Sequence, residues 1–122
     1  MLSLIAIDPG MRISGYAIFI NAEIVECGLL RAKNTDLLIG ECVRSQMRQL
    51  TGGVLKKFDI AVVEYPVIYD KPQRKGDPND IIKLAYTAGA FSCLLGLGGA
   101  RVWNPKPCEW KGKVPKVINN QR

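Results

Sequence analysis

The sequence predicts one α/β domain, residues 1–122, built on a mixed five-stranded sheet. Three observations indicate this class. Two apolar runs each end in an acid, two further stretches have helical periodicity, and 122 residues suffice for one domain. Because 48% of the residues are apolar, the chain can bury a core. The elements should follow the order β-β-β-α-β-α-β.

The first three predicted strands are residues 2–8, 13–20 and 22–31. Asp8 ends the first strand, and Pro9-Gly10 after it indicates a turn. A carboxylate at a strand end costs desolvation energy unless a metal ion, a basic residue or backbone N–H groups pair with it. Asn21-Ala22 is a plausible tight connection to the third strand. These strands should form an antiparallel meander.

A first amphipathic helix is predicted over residues 36–50, with Thr35 or Asp36 as its cap and Gly52-Gly53 as a possible end. The apolar run 59–64, "DIAVVE", predicts a central strand that is covered on both faces. Right-handed crossovers through the helices would make the later strands parallel to the first. The predicted strand order is therefore 3-2-1-4-5, with helices packed on the sheet.

A long loop, residues 65–77, precedes a second helix in which Asp77 is the N-cap and Pro78 the first residue. This helix is apolar almost all round, so we expect it to be well buried, with Gly89 allowing another backbone to approach. "ARVWNP" predicts a fifth strand, with Trp103 in the core. Pro115 could begin a final helix.

Charge and cysteine content narrow the function classes. The net charge is +6, and residues 101–122 contain six of the basic residues and one acid. Such a tail suits a polyanion such as nucleic acid, or serves only as a solubilising surface. The four cysteines are scattered and histidine is absent, which argues against zinc and disulfides. We expect mostly buried thiols in an intracellular protein with no membrane segment.

Asp8 and Glu64 are the candidate catalytic residues. Each ends an apolar run and is followed within two residues by proline. If their strands are parallel neighbours, the two carboxylates meet at one sheet edge, where a divalent cation would relieve their repulsion. Two-metal phosphodiester cleavage uses such oxygen ligands. The alternative is two unrelated strand-end acids, each paired with backbone or a basic residue.

The motif "AIDPGMRISGYAIF" resembles the first-strand motif of the RuvC-type Holliday-junction resolvases, in the ribonuclease H-like superfamily. "AVVEYP" resembles their second acidic strand, and "DPNDIIKLAYTAGAF" the helix that follows it. "EWKGKVPK" is similar to a stretch of phage-type members. The resemblance extends in order over nearly the whole chain and implies a ribonuclease H-like fold.

The resemblance also implies a Mg²⁺- or Mn²⁺-dependent endonuclease that cleaves branched DNA as a homodimer, in the cytoplasm of a bacterial or phage-infected cell. Asp8 and Glu64 match the first two catalytic, metal-binding carboxylates. The family takes its other acids from a final helix, whereas this sequence stops at "VPKVINNQR". We therefore expect that helix to be truncated after about residue 115, since a sheet face would otherwise lack its covering helix; the alternative is a natural variant with an incomplete site. Asp77 and Asp80 are possible further acids, although Asp80 better suits a helix start.

Aromatic and basic residues near the site are candidate DNA contacts, because bases stack on aromatics and cations hold phosphate. The loop 65–77 could equally be an ordinary solvated loop whose tyrosines pack inward. The candidates are Tyr65, Tyr69, Lys71, Arg74, Lys75, Trp110, Lys111, Lys113 and Lys116.

Three other functions fit parts of the sequence. The first is a nucleic-acid-binding module of the same fold without activity, suggested by the missing acids. The second is half of an ATPase, because D-x-G followed by a later glycine also opens the actin and sugar-kinase folds. That fold needs two such domains, and the sequence has one. The third is a small structural α/β protein with a basic tail.

Overall fold

The computed structural model describes residues 1–51, 57–67 and 77–106. The elements are β1 (Ser3–Asp8), β2 (Ile13–Ile20), β3 (Glu23–Arg31), α1 (Ile39–Thr51), β4 (Ile60–Val63), α2 (Pro78–Leu97) and β5 (Arg101–Trp103). The sheet order is β3-β2-β1-β4-β5. β2 pairs antiparallel with β1 and β3, whereas β4 pairs parallel with β1 and β5. The predicted mixed sheet and its strand order are confirmed.

The connection between β2 and β3 has the backbone of a tight hairpin. Asn21 and Ala22 have positive φ angles of 48° and 69°. Two consecutive residues with positive φ match the right-handed twist of the flanking strands. The predicted connection is confirmed.

The core lies between one face of the sheet and the two helices. Side chains alternate along a strand, so every second residue of β1, β2 and β4 points to this face. The buried apolar residues include Ile5, Ile7, Ile18, Leu30, Val43, Met47, Ala61, Val63, Phe91 and Leu95. Ala6, Ala17 and Val62 alternate with them and are only half-buried. They belong to the opposite face of the sheet, called here the open face.

The predicted start of α2 is confirmed, but its predicted burial is wrong. The Asp77 carboxylate accepts a hydrogen bond from the Asn79 N–H at 2.9 Å, and Pro78 is the first helical residue. By length and composition, α2 is the one helix among the described residues that could cross a membrane. Its inner side instead packs on the sheet and contains all four of its buried residues, Thr87, Ala88, Phe91 and Leu95.

No close neighbour of Gly89 explains this glycine within the described chain. A Cβ built on Gly89 would meet nothing within 4 Å. The predicted close approach of another backbone is therefore not found among residues 1–51, 57–67 and 77–106.

The first helix begins at Ile39 and not at residue 36 as predicted. The Glu41 carboxylate accepts hydrogen bonds from the backbone N–H groups of Leu37 and Leu38, at 3.1 and 3.0 Å, and thereby caps the helix. Asp36 instead accepts from the Lys33 N–H at 2.8 Å. The helix ends at Thr51, and Gly52-Gly53 lies outside the described residues.

Trp103 and two cysteines are more exposed than predicted. Trp103 pairs with Val62, so its side chain lies on the open face, where it is 58% exposed. Cys42 is buried as expected, but Cys27 and Cys93 are exposed. Cys108 and the predicted helix from Pro115 lie outside the described residues.

Candidate active site

Asp8 is the last residue of β1 and belongs to the open face. Its neighbour Ile7 is buried against the helices, so the alternation of the strand places Asp8 on the other side. Asp8 pairs with Gly15 of β2, and a Cβ on Gly15 would lie 3.8 Å from the Asp8 Cβ. The Asp8 side chain is exposed, so the expected cost of its burial does not arise.

Glu64 directly follows β4, which runs parallel to β1. Ile7 is the partner of Val63, so the next residues along the two strands are Asp8 and Glu64. Val63 is fully buried on the core face, which again assigns the following residue to the open face. Glu64 is half-buried. Both acids therefore lie at the same edge of the sheet.

Asp8 and Glu64 line one cavity of about 420 Å³ on the open face. Among the described residues they are its only charged lining residues; the others are Ala6, Ile7, Gly15, Tyr16, Ala17, Val62, Trp103 and Pro105. The cavity thus combines a largely apolar floor with a pair of carboxylates at one end. An apolar pocket with a few convergent polar groups is the usual form of a binding or active site.

The turn after Asp8 is held by two side chains that the sequence analysis did not single out. The Gly10 N–H donates to the Ser14 hydroxyl oxygen, and that hydroxyl donates to the Gly10 carbonyl oxygen, both at 3.0 Å. Gln46 of α1 donates through Nε2 to the carbonyl oxygens of Gly10 and Met11, at 3.0 and 2.9 Å. These bonds fix the backbone that leaves Asp8.

Gly10 itself leaves no room for a side chain. A Cβ on Gly10 would lie 2.1 Å from the carbonyl oxygen of Ile13, far below any van der Waals contact. The glycine of the Pro9-Gly10 pair is therefore required by the tightness of this turn.

Arg12 ties the same turn to the segment before α1. Its guanidinium donates to the carbonyl oxygen of Lys33 at 2.7 Å and to that of Asp36. The Asp36 carboxylate accepts from the Ser45 hydroxyl, and this hydrogen bond is the main reason that the pKa of Asp36 is lowered. The segment 33–36 is thus fixed against both α1 and the turn.

The backbone around Glu64 is fixed by the two residues that follow β5. The Tyr65 N–H donates to the Pro105 carbonyl oxygen at 2.8 Å. Asn104 donates through Nδ2 to the carbonyl oxygen of Val63 at 2.9 Å, and to the Ser92 hydroxyl oxygen at 3.0 Å. The backbone on both sides of Glu64 is therefore held by hydrogen bonds to Asn104 and Pro105.

The other predicted acids do not reach the cavity. Asp77 caps α2 and Asp80 lies in its first turn, as a helix-start acid does. Among residues 1–51, 57–67 and 77–106, no group of three or more Asp, Glu, Cys or His residues could hold a metal ion. The described donor set is the pair Asp8 and Glu64. This pair fits Mg²⁺ or Mn²⁺, because Mg²⁺ is commonly held by one or two carboxylates together with water and substrate phosphate.

Of the predicted DNA contacts, only Tyr65 is described. It is 52% exposed, directly follows Glu64, and lines a groove of about 350 Å³ between the segment after β4 and α2. The remaining predicted contacts lie outside the described residues: Tyr69, Lys71, Arg74, Lys75, Trp110, Lys111, Lys113 and Lys116.

Three residues at the site are absent from the sequence predictions of site residues, although the sequence pattern indicates where each of them lies. Gln46 is a polar residue on the apolar side of α1, between Val43 and Met47. Ser14 lies four residues before the buried Ile18 on β2 and therefore on the same, inward face, where a polar residue is unusual. Trp103 follows Val102, which packs on the core, so alternation alone assigns it to the open face.

No protein-family model and no curated protein sequence matches the chain at a significant level. Similar solved structures include Thermus thermophilus RuvC in complex with a Holliday junction substrate, with a TM-score of 0.68 and 11% identity. That match covers 97% of this chain and 73% of the RuvC chain. A second T. thermophilus RuvC structure has a TM-score of 0.55 and 12% identity, and covers 88% and 64% of the two chains. The chain therefore has the ribonuclease H-like fold of the RuvC Holliday-junction resolvases.

Proposed function

We propose that this protein is a divalent-metal-dependent endonuclease that cleaves phosphodiester bonds in branched DNA. One observation carries the proposal. Asp8 and Glu64 directly follow Ile7 and Val63, which are partners in the neighbouring parallel strands β1 and β4, and both acids line one cavity. The likeness to a RuvC structure bound to a Holliday junction supports a four-way junction as the substrate.

The two carboxylates are the proposed ligands for Mg²⁺ or Mn²⁺. Their oxygens are hard donors, and a divalent cation held by both would relieve their repulsion. Such a metal would supply Lewis acidity and would activate a water for phosphodiester hydrolysis. The hydrogen bonds of Ser14, Gln46 and Asn104 to the adjoining backbone keep the ligands in place.

The surroundings of the acids would orient the DNA. Trp103 lines the cavity and is largely exposed, and Tyr65 is exposed directly after Glu64. Both rings are available to stack on unpaired bases, which occur at a branch point. The lysines and arginines predicted to hold phosphates complete this part of the proposal. The protein would act as a homodimer in the cytoplasm of a bacterial or phage-infected cell.

The test is cleavage of a synthetic four-way junction and of a linear duplex of matched sequence. We expect junction-selective cleavage that requires Mg²⁺ or Mn²⁺ and that Asp8→Asn or Glu64→Gln slows strongly. Glu23→Gln is the matched control, since it removes one exposed negative charge at the start of β3. Cleavage at the wild-type rate in Asp8→Asn would overturn the proposal.

A second candidate is a junction-binding protein of this fold without nuclease activity. It is favoured by the absence of a third ligating side chain beside Asp8 and Glu64 among the described residues. Tight binding of the junction without metal-dependent cleavage would support it. In that case Asp8→Asn should leave the affinity unchanged or raise it, because it removes a negative charge near the phosphates.

A further inference from the structure

A row of four side chains crosses the floor of the open-face cavity. Ala17, Ala6, Val62 and Trp103 are successive register partners on β2, β1, β4 and β5, and each of them lines the cavity. Neighbouring strands lie about 4.8 Å apart, so the row spans roughly 14 Å. Ala17, Ala6 and Val62 are short and half-buried, whereas the Trp103 indole is large and mostly exposed. The three short residues, called here the shelf, are therefore bordered by an aromatic ring.

The two acids lie one row further along the same face. Asp8 is two residues beyond Ala6 on β1, and Glu64 is two residues beyond Val62. Two residues along a strand span roughly 7 Å. The cavity therefore has two parts at a fixed separation. A carboxylate pair at one end suits a metal-bound phosphate, and the apolar shelf lies beside it.

A nucleotide has the same two parts. Its phosphate is a ligand for Mg²⁺, and its base is a flat ring that one sugar separates from the phosphate. A flat ring can rest on short side chains, and an exposed indole is a stacking partner for any base. The cavity volume of about 420 Å³ is within the usual range for ligand sites.

We propose that the shelf is a base-binding subsite: a base beside the cleaved phosphodiester leaves its stack, lies on the shelf and packs against Trp103. This inference deepens the proposed function and rests on it, because it requires the phosphate to be held at Asp8 and Glu64. The side chains of the shelf are all apolar. The subsite therefore accepts an unstacked base without reading the hydrogen-bonding pattern of its edge.

This subsite would make the cleavage selective for branched DNA. In a linear duplex, a base reaches the shelf only after it is unpaired and unstacked, which costs free energy. The cost is smaller at a branch point, where bases are already partly unpaired. Selectivity for the branch would then come from the ease with which a base leaves the stack.

The test is an abasic scan of the synthetic four-way junction, in which one nucleotide at a time around the branch point lacks its base. Fluorescence anisotropy measures the affinity of each junction, and single-turnover kinetics measure its cleavage. We expect the loss of one particular base to weaken the affinity about 5- to 150-fold, which is the range for one stacked base. The affinity measurement does not depend on cleavage.

Two variants of the cavity identify the shelf as the place where this base binds. Ala17→Leu puts a branched side chain on the shelf, and Trp103→Ala removes the bordering ring. Each should bind the intact junction about as weakly as the wild type binds the critical abasic junction. Removing the base should then cost these variants little more, because the base and the shelf act as one interaction.

Cys27→Leu is the matched control for Ala17→Leu. Cys27 is the register partner of Ala17 on β3 and is exposed. It is not among the residues that line the cavity in the described part of the chain. We therefore expect Cys27→Leu to keep the wild-type affinity and the full abasic effect. Urea denaturation would verify that Ala17→Leu is folded, and Trp103→Ala provides the test if it is not.

Two results would overturn the inference. One is equal affinity of the wild type for the intact junction and for every abasic junction. The other is an abasic effect that remains undiminished in Trp103→Ala and in folded Ala17→Leu. Base-dependent binding without cleavage would count against the nuclease and support the subsite. Cleavage without base dependence would support the nuclease and overturn the subsite.

Discussion

The side-chain amide of Gln46 donates to the carbonyl oxygen of Gly10 at 3.0 Å and thereby joins the middle of α1 to the turn after Asp8. Gln46 is fully buried, and its Oε1 is the one buried side-chain polar atom in the described residues without a hydrogen-bond partner. Burying the Oε1 without a hydrogen-bond partner costs free energy of folding. The two hydrogen bonds that Nε2 donates to the turn offset this cost and explain why a glutamine occupies this core position. We therefore infer that Gln46 is a positioning residue for Asp8.

Replacing Gln46 with methionine should weaken both stability and cleavage. The change keeps the side-chain length but leaves the Met11 carbonyl oxygen without its donor, at a cost of about 1–3 kcal/mol in the free energy of unfolding. We expect the cleavage rate to fall while the junction affinity holds, because Asp8 is displaced and the DNA-binding surface is not.

Urea denaturation and single-turnover cleavage would measure these effects. Gln49→Met is the control: Gln49 lies on the same helix, is exposed, and bonds to the backbone of Arg31. Equal losses of cleavage rate in the two variants would contradict a specific role for Gln46.

Gly10→Ala should destabilise the protein. The added Cβ would lie 2.1 Å from the Ile13 carbonyl oxygen, so the turn must open. We expect a loss of about 1–3 kcal/mol, as for other forced overpacking, with a slower cleavage rate. Gly40→Ala in α1 should instead gain about 0.5–1 kcal/mol from helix propensity. Thermal denaturation would measure the stability of both variants. A Gly10→Ala variant as stable as the wild type would contradict the prediction, because the turn would then accept a Cβ without strain.

Trp103→Ala should weaken DNA binding with little effect on folding. The ring is 58% exposed and lines the cavity that contains Asp8 and Glu64. Loss of a stacking aromatic typically costs about 1–3 kcal/mol per base, so we expect roughly a 5- to 150-fold weaker junction affinity.

Fluorescence anisotropy with a labelled junction would measure that affinity. Ile24→Ala removes a similarly exposed apolar side chain, 62% exposed, from the edge strand β3. If Trp103→Ala binds the junction as tightly as Ile24→Ala does, Trp103 does not contact the DNA.

Acid should destabilise the protein partly through Asp36 and Asp59. The pKa of each carboxyl is lowered from 3.8, for Asp36 mainly by the Ser45 hydroxyl and for Asp59 mainly by the Ser3 N–H. A carboxyl with a lowered folded-state pKa contributes stability above its unfolded-state pKa. That contribution is lost as the pH falls through the lower, folded-state pKa.

We therefore expect the urea midpoint to fall below about pH 4, and to fall less steeply in Asp36→Asn and Asp59→Asn. Glu23→Gln controls for the loss of one negative charge. Identical acid profiles in the wild type and in both asparagine variants would show that these two carboxyls do not contribute.

The strand order and the position of the acids follow from simple sequence signals, whereas several details do not. Apolar runs that end in Asp8 and Glu64 mark the strands, and Asp77-Pro78 marks the start of α2. Asp36 is a typical helix-cap residue by type, but its carboxylate accepts a hydrogen bond from the Ser45 hydroxyl instead. The Glu41 carboxylate caps the helix by accepting from the Leu37 N–H.

The predicted burial of α2 and of Trp103 is wrong for one reason. The hydropathy of a residue does not determine whether another part of the protein packs against it. The apolar composition of α2 predicts burial, yet Tyr86 and Leu97 are exposed in the single chain. Gly89 predicts a closely packed backbone, yet a Cβ built on it meets nothing within 4 Å among the described residues. Trp103 was assigned to the core by its residue type, although strand alternation assigns it to the open face.

The most direct test of the account is the rate of junction cleavage by the double variant Asp8→Asn/Glu64→Gln, compared with the two single variants. Residues that hold one metal site act as a unit, so removing both should cost no more than removing the more important one. We predict that the double variant cleaves no more slowly than the slower single variant. Losses that multiply, or a single variant that keeps the wild-type rate, would contradict a shared site at the ends of β1 and β4.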